Sequence, residues 1–71
     1  MPRVQSSALE WVEYRKTARI LDVGLKTGRQ YSYYGVPERE YRGLIRAKSK
    51  GSFYNSRIRD RYPYWRRPEP D

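Results

Sequence analysis

The sequence contains no cysteine and no histidine among its 71 residues. Without a thiolate or an imidazole, the chain cannot make a disulfide, a zinc site of ordinary ligands, or a Ser-His or Cys-His nucleophilic pair. The remaining candidate acids and bases are Asp22, Glu38, Glu40 and Asp60, and the helix dipole accounts for Glu38 and Glu40 in a predicted first helical turn. We therefore predict that the protein is not an enzyme and has no catalytic residues, no cofactor and no metal.

Long apolar runs are also missing, and none approaches the roughly 20 residues that a membrane span needs. Residues 1–5 lack the apolar stretch of a secretory signal, which favours a cytoplasmic location. A chain of 71 residues is expected to form one small domain that buries only about 60% of its unfolded surface. That leaves little interior for an enclosed active site.

Aromatic side chains are plentiful by contrast. Eight tyrosines, two tryptophans and one phenylalanine make up 15% of the chain. Each can bury a large area, and the tyrosine and tryptophan rings can do so while keeping a polar group in water, which suits a domain with a small interior. We therefore expect a folded protein, although 34% of the residues are charged and the mean hydropathy is −1.14.

Three segments predict an antiparallel β-meander. Residues 8–14 alternate with a shift of phase near Trp11, which indicates either a β-bulge or two partly covered faces. Residues 20–25 give the clearest alternation, and residues 30–34 follow after a turn in which Gly28 supplies a positive φ. Tyr31 and Tyr33 share one face of this third strand, where they either pack on the core or face a ligand.

Two short helices follow the strands. Pro37 suits the start of the first helix, and Ser49 is the predicted N-cap of a second one that runs to about Arg59. The expected fold class is α+β, a three-stranded meander with both helices on one face, in a domain of residues 1–65 with a flexible tail of residues 66–71. The predicted core consists of Leu9, Val12, Leu21, Val23, Leu25, Tyr33, Val36, Tyr41, Leu44, Ile45, Tyr54 and Ile58.

The positive charge is concentrated in the carboxy-terminal third. The net charge is +8, and residues 46–67 hold eight lysines and arginines against the single acid Asp60. Arginines outnumber lysines twelve to four, which favours bidentate contacts with phosphate and stacking on flat rings. A solvated helical face explains such charges equally well, and an acidic protein surface could also exploit them.

The order of several short motifs resembles the KTSC domain. The motifs are Ser6-Ser7-Ala8, Tyr31-Ser32-Tyr33, Gly35-Val36-Pro37, Ser49-Lys50-Gly51, Tyr54-Asn55, Ile58-Arg59 and Tyr62-Pro63-Tyr64. The family is named for a carboxy-terminal extension of some lysyl-tRNA synthetases and also occurs as small stand-alone proteins of bacteria and phages. The resemblance implies that Tyr31, Tyr33, Gly51 and Asn55 belong to the family motif, and it suggests RNA binding.

Charge pattern and resemblance together predict a small non-catalytic module that binds nucleic acid, RNA before DNA. The candidate binding residues are Arg46, Lys48, Lys50, Arg57, Arg59, Arg61, Tyr62, Tyr64 and Trp65. The cations would neutralise phosphates while the rings stack on bases. The alternative is a protein-interaction module that binds an acidic partner surface, as a monomer or, through an edge strand, as a weak homodimer.

Overall fold

The computed structural model describes residues 8–67. The α+β class is confirmed, with one four-stranded antiparallel sheet and two helical regions. The elements in chain order are β1 (Leu9–Arg15), β2 (Ile20–Leu25), β3 (Gln30–Tyr34), α1 (Glu38–Arg46), α2 (Lys50–Phe53), a π-helical segment (Tyr54–Ile58) and β4 (Tyr64–Arg67). No helix in this part of the chain is long and apolar enough to cross a membrane.

The strands follow one another in the order β1-β2-β3-β4. The shift of phase seen in the sequence is a true irregularity, because the pairing of β1 with β2 changes register between Leu9 and Trp11. The indole of Trp11 then lies over Gly24, whose missing side chain leaves room for the ring. Gly28 closes the hairpin between β2 and β3 with a φ of 98°, as its place in the turn predicts.

Strand β4 is the main difference from the predicted architecture. It adds a fourth strand beside β3, with Tyr33 opposite Tyr64 and Tyr31 opposite Arg66. Arg66 and Arg67, which the sequence analysis assigned to the tail, are therefore part of the sheet. The remaining residues of the predicted tail, 68–71, and Ser6 and Ser7 of the family pattern lie outside the described residues.

Helix α1 begins directly after Pro37, as expected. Its buried face differs from the prediction at two positions. Ile45, which we placed in the core, is 36% exposed, whereas Glu40, which we assigned only to the first helical turn, is 7% exposed. The helix is thus turned so that Leu44 alone supplies its fully buried apolar side chain, and the carboxylate of Glu40 lies beneath the following helical region.

The second helical region begins at the predicted cap. The hydroxyl of Ser49 accepts a hydrogen bond from the backbone N–H of Ser52 at 3.3 Å. From Tyr54 onward the helix widens, and the N–H of Arg59 donates to the carbonyl of Tyr54, five residues earlier, at 2.9 Å. This π geometry keeps Tyr54 and Ile58 both buried, and it is frequent at functional sites.

The core lies between one sheet face and the helices. The buried apolar residues are Leu9, Val12, Leu21, Val23, Tyr33, Val36, Leu44, Tyr54 and Ile58. All nine were predicted, and Leu25 and Tyr41 from the same prediction are partly buried against them. Tyr41 stacks on Tyr14 with ring centroids 4.9 Å apart, which joins helix α1 to strand β1.

Candidate functional site

A polar pocket opens where strands β3 and β4 meet the end of the π-helical segment. Its volume is about 150 Å³. Four tyrosines and two charged residues line it: Tyr31, Tyr33, Tyr54, Arg59, Asp60 and Tyr64. We call this site the tyrosine pocket.

The rings of the tyrosine pocket hold one another in place. Tyr33 meets Tyr54 edge to face at a centroid distance of 5.9 Å, and Tyr31 meets Tyr64 in the same way at 5.5 Å. The register of β3 with β4 explains the contact of Tyr31 with Tyr64, because Tyr64 lies directly opposite Tyr33 and on the same sheet face. Such pairs contribute about 0.5 to 1.5 kcal/mol each beyond the area they bury.

Two hydroxyl groups meet at the inner end of the pocket. The phenol oxygens of Tyr33 and Tyr54 are 2.5 Å apart and share a hydrogen bond. Burial raises the pKa of both tyrosines above the ordinary value of 10.0, and the hydrogen bond to Tyr54 raises the pKa of Tyr33 further. Both phenols therefore stay protonated at neutral pH. One proton lies between the two oxygens, and the second remains available for a further acceptor.

One cation and one carboxylate complete the lining. Arg59 and Asp60 follow the π-helical segment directly, and both side chains are exposed. No ion pair joins them to other residues in the range 8–67, although Arg59 reaches the amide oxygen of Asn55 at 3.5 Å. The pocket thus offers a positive group, a negative group and hydroxyl groups within one small volume.

The predicted basic residues are distributed over the whole helical region. Arg46 ends α1, Lys48 lies in the connection, and Lys50 begins α2. Arg57 belongs to the π-helical segment, and Arg61 lies in the turn after it. Within the described residues no carboxylate forms an ion pair with Arg46, Lys48, Arg59 or Arg61, so these four charges are available to a partner. We call these four residues the basic surface.

Two of the predicted cations have internal roles. A guanidinium N–H of Arg57 donates to the buried carboxylate of Glu40 at 2.9 Å, and the same group lies 5.4 Å from the ring centroid of Phe53. The ammonium group of Lys50 donates to the carbonyl of Ala47 at 3.1 Å, near the end of α1. Both side chains therefore stabilise the helical region as well as carrying positive charge.

The three candidate stacking residues do not share one surface. Tyr62 is partly buried against the core. Tyr64 is 57% exposed and Trp65 53% exposed, but neighbouring residues of a strand point to opposite faces. Tyr64 therefore joins the tyrosine pocket, whereas Trp65 lies on the other face, opposite Ser32.

The residues of the suggested family motif also lie in different parts of the structure. Tyr31 and Tyr33 line the pocket, with Tyr33 buried and Tyr31 partly exposed. Gly51 lies in α2, where its carbonyl accepts from the N–H of Tyr54. Asn55 is exposed beside Arg59. Tyr33 thus belongs to the core and also lines the pocket, whereas Tyr31 lines the pocket and is only partly buried.

Sequence reasoning missed the role of Asp60 and the contact of Tyr54 with the pocket. We considered Asp60 as a candidate acid or base and as the single acid of the basic stretch, and Tyr54 as a core residue and part of the family pattern. Both positions depend on β4, which brings Tyr64 against Tyr31 and closes the pocket. The aromatic pair at residues 64 and 65, directly after Pro63, was the available signal for a strand.

Comparison with known proteins identifies the family. The model of the KTSC domain matches residues 5–62, and the chain belongs to this family. A curated protein of Tsukamurella paurometabola is 36% identical over 62 residues, which cover 87% of this chain and 92% of the relative. The crystal structure of a KTSC domain protein from Yersinia pestis has a TM-score of 0.91 at 28% identity, covering 94% of each chain. The fold described above is therefore similar to that of this solved family member.

Proposed function

We propose that this protein is a small non-catalytic module that binds nucleic acid, RNA before DNA. The basic surface neutralises phosphates, and Tyr64 offers an exposed ring for stacking. The observation that carries the proposal is the availability of these charges: within residues 8–67, none of Arg46, Lys48, Arg59 and Arg61 is held by an ion pair. A cation without an internal partner gives up no existing ion pair when it meets a phosphate, and its binding releases counterions from the nucleic acid.

The composition of the surface supports the same function. Three of its four cations are arginines, which bind phosphate through two parallel hydrogen bonds. An exposed tyrosine beside such a cation adds a stacking contact, worth roughly 1 to 3 kcal/mol per base.

The test is a fluorescence-anisotropy titration of labelled single-stranded RNA, duplex RNA and single-stranded DNA of equal length. We expect binding that weakens steeply with salt. Neutralisation of one phosphate by each of the four cations of the basic surface gives a slope between about −2.8 and −3.6 for the logarithm of the affinity against the logarithm of the salt concentration. An affinity that does not change with the salt concentration would contradict the proposal.

The variant for this experiment is Arg59→Ala/Arg61→Ala. It leaves Arg57 in place, because Arg57 compensates the buried carboxylate of Glu40. The loss of two phosphate contacts lowers the slope for a single strand by about 1.4. The matched control is Lys26→Ala/Arg29→Ala, which removes the same charge from exposed residues of the hairpin between β2 and β3. An equal loss of affinity in both variants would show that only the net charge of the protein matters, and not the position of the cations.

A second candidate is a module that binds an acidic protein surface. Trp65 favours it, since a large exposed ring on the edge strand β4 is typical of a protein interface. Affinity carried by an aromatic anchor depends less on salt than affinity carried by phosphates. A chain that binds none of the three nucleic acids, but retains an acidic protein from lysate through Trp65, would replace the first proposal with this one.

A further inference from the structure

We propose that the tyrosine pocket holds the ribose of one unpaired ribonucleotide of a bound RNA, with the phosphate of that nucleotide on Arg59 and its 2′-hydroxyl donating to Asp60. This inference rests on the proposed function and adds the source of the preference for RNA. It assigns a role to Asp60 that the charge pattern did not suggest. Four observations carry it: the volume, the paired charges, the free hydroxyl proton and the exposed ring of Tyr64.

The volume limits the enclosed part of the ligand to one group of about the size of a ribose. A pocket of about 150 Å³ has room for roughly five water molecules. Sites for drug-sized ligands and cofactors usually measure about 300 to 1,000 Å³. A whole nucleotide is therefore too big to be enclosed, whereas its ribose fits, with the base and the neighbouring nucleotides outside.

The charges of the pocket select a ligand with two kinds of group. Asp60 repels a ligand that is only anionic, and Arg59 repels one that is only cationic. A ribonucleotide presents both an anionic phosphate and hydroxyl groups that donate hydrogen bonds. An ionised carboxylate such as Asp60 can only accept, so it suits a ribose hydroxyl and not a phosphate.

The hydroxyl groups and the ring add the remaining contacts. The pair formed by Tyr33 and Tyr54 keeps one phenol proton for a further acceptor, such as a phosphate oxygen or a base carbonyl. Tyr64, whose ring is more than half exposed at the mouth, offers a surface on which the base stacks. The 2′-hydroxyl is the group by which proteins tell RNA from DNA, and Asp60 is the acceptor for it.

The test compares the affinities for an RNA strand and for the same sequence with 2′-deoxyribose, both containing uracil. Asp60→Asn is expected to lower the RNA-to-DNA affinity ratio about ten-fold, because a hydrogen bond to a charged acceptor is weakened. Arg59→Ala is expected to weaken both strands by the same factor. Glu13→Gln is the matched control, since it removes one exposed carboxylate from β1 and should raise both affinities without changing the ratio.

A titration with small ligands then checks the position. Uridine 5′-monophosphate, its 2′-deoxy counterpart and inorganic phosphate are added in turn while NMR shifts of the tyrosine rings and of Arg59 are followed. We expect shifts at Tyr31, Tyr64 and Arg59 that are largest for the ribonucleotide. Equal shifts with inorganic phosphate would reduce the pocket to an anion site and overturn the inference.

The two proposals fail in different ways. If the protein binds RNA with a steep salt dependence but Asp60→Asn leaves the RNA-to-DNA ratio unchanged, the pocket inference is wrong and the proposed function stands. If no strand binds, both proposals are wrong. Since Asp60 is exposed and forms no ion pair within the described residues, Asp60→Asn should fold normally, and thermal unfolding of the variant verifies this.

Discussion

The guanidinium of Arg57 donates to the carboxylate of Glu40 across 2.9 Å, and so joins the π-helical segment to α1. Glu40 is almost completely buried, whereas Arg57 is half exposed. The pair is therefore asymmetric. Loss of Arg57 leaves a buried charge without its partner, while loss of Glu40 leaves a cation that reaches water.

Arg57→Ala is expected to lower the free energy of unfolding by about 1 to 3 kcal/mol, the cost of leaving a buried acceptor unpaired. Urea denaturation measures it. Arg42→Ala is the control, because the pair of Arg42 with Glu38 lies at the surface of α1 and contributes at most about 0.5 kcal/mol. Equal losses in the two variants would show that the burial of Glu40 has no energetic consequence.

The effect of Gly43→Ala in α1 on stability should depend on the side chain at residue 53. Alanine is a better helix former than glycine by about 1 kcal/mol, but a Cβ at residue 43 would lie 2.7 Å from Cζ of Phe53. We expect Gly43→Ala to destabilise the protein by about 1 kcal/mol or more, as overpacking does. In the background of Phe53→Leu the same change should stabilise it. Thermal unfolding of the four proteins compares the two effects, and the same sign in both would contradict the prediction.

Local signals account for most of the fold. Three features depend on residues that are near neighbours in the chain, and all were predicted within a residue or two. They are the alternation in β2 and β3, the turn at Gly28 and the cap at Ser49. The nine buried apolar residues were predicted from side-chain periodicity, which indicates the face that an element buries.

Interactions between distant segments account for what was missed. Strand β4 has four residues, of which two are arginines, and it pairs only because β3 leaves an open edge beside it. Ile45 was assigned to the core because it continues the apolar stripe of α1, but the buried side chains of that helix are Glu40 and Leu44, and Glu40 pairs with Arg57 of the π-helical segment. The tyrosine pocket needs β3, β4 and the end of that segment to meet, so its parts were visible in the sequence and their meeting was not.

Asp22 is expected to be the most sensitive polar residue of the sheet. Its carboxylate is 2% exposed and accepts from Nε and Nη2 of Arg15 at 3.0 Å each and from the hydroxyl of Ser32 at 2.6 Å. Asp22→Ala removes the acceptor of all three, and leaves the buried hydroxyl of Ser32 unpaired. We expect a loss of about 1 to 3 kcal/mol.

Ser32→Ala is the comparison for Asp22, because it removes one donor and leaves the contact with Arg15. In urea denaturation, Ser32→Ala should lose less free energy of unfolding than Asp22→Ala. Asp22→Asn should fall between them, since the amide keeps one oxygen as an acceptor. A loss in Ser32→Ala as large as in Asp22→Ala would mean that the hydroxyl contact carries the whole effect.

The buried pair of Tyr33 and Tyr54 should make the protein sensitive to alkali. Burial raises the pKa of both phenols above 10.0, so the folded state keeps two protons that the unfolded chain releases near that pH. The contribution of the two phenols to the free energy of unfolding is therefore fully present below about pH 10. It falls as the pH rises further, by up to about 1.4 kcal/mol per pH unit for each tyrosine. Urea midpoints at several pH values across this range measure the decline.

Tyr33→Phe/Tyr54→Phe removes both protons and should flatten that decline, although it also costs the hydrogen bond between the two hydroxyls. Titration of the lysines is common to both proteins, so the difference between their pH profiles isolates the pair. Tyr34→Phe is the control for the loss of a phenol outside the buried pair, because Tyr34 is exposed. Phenolate absorbance gives a second readout: two tyrosines of the native protein should titrate only as it unfolds. A double variant with the same pH profile as the parent would show that these two phenols do not cause the loss.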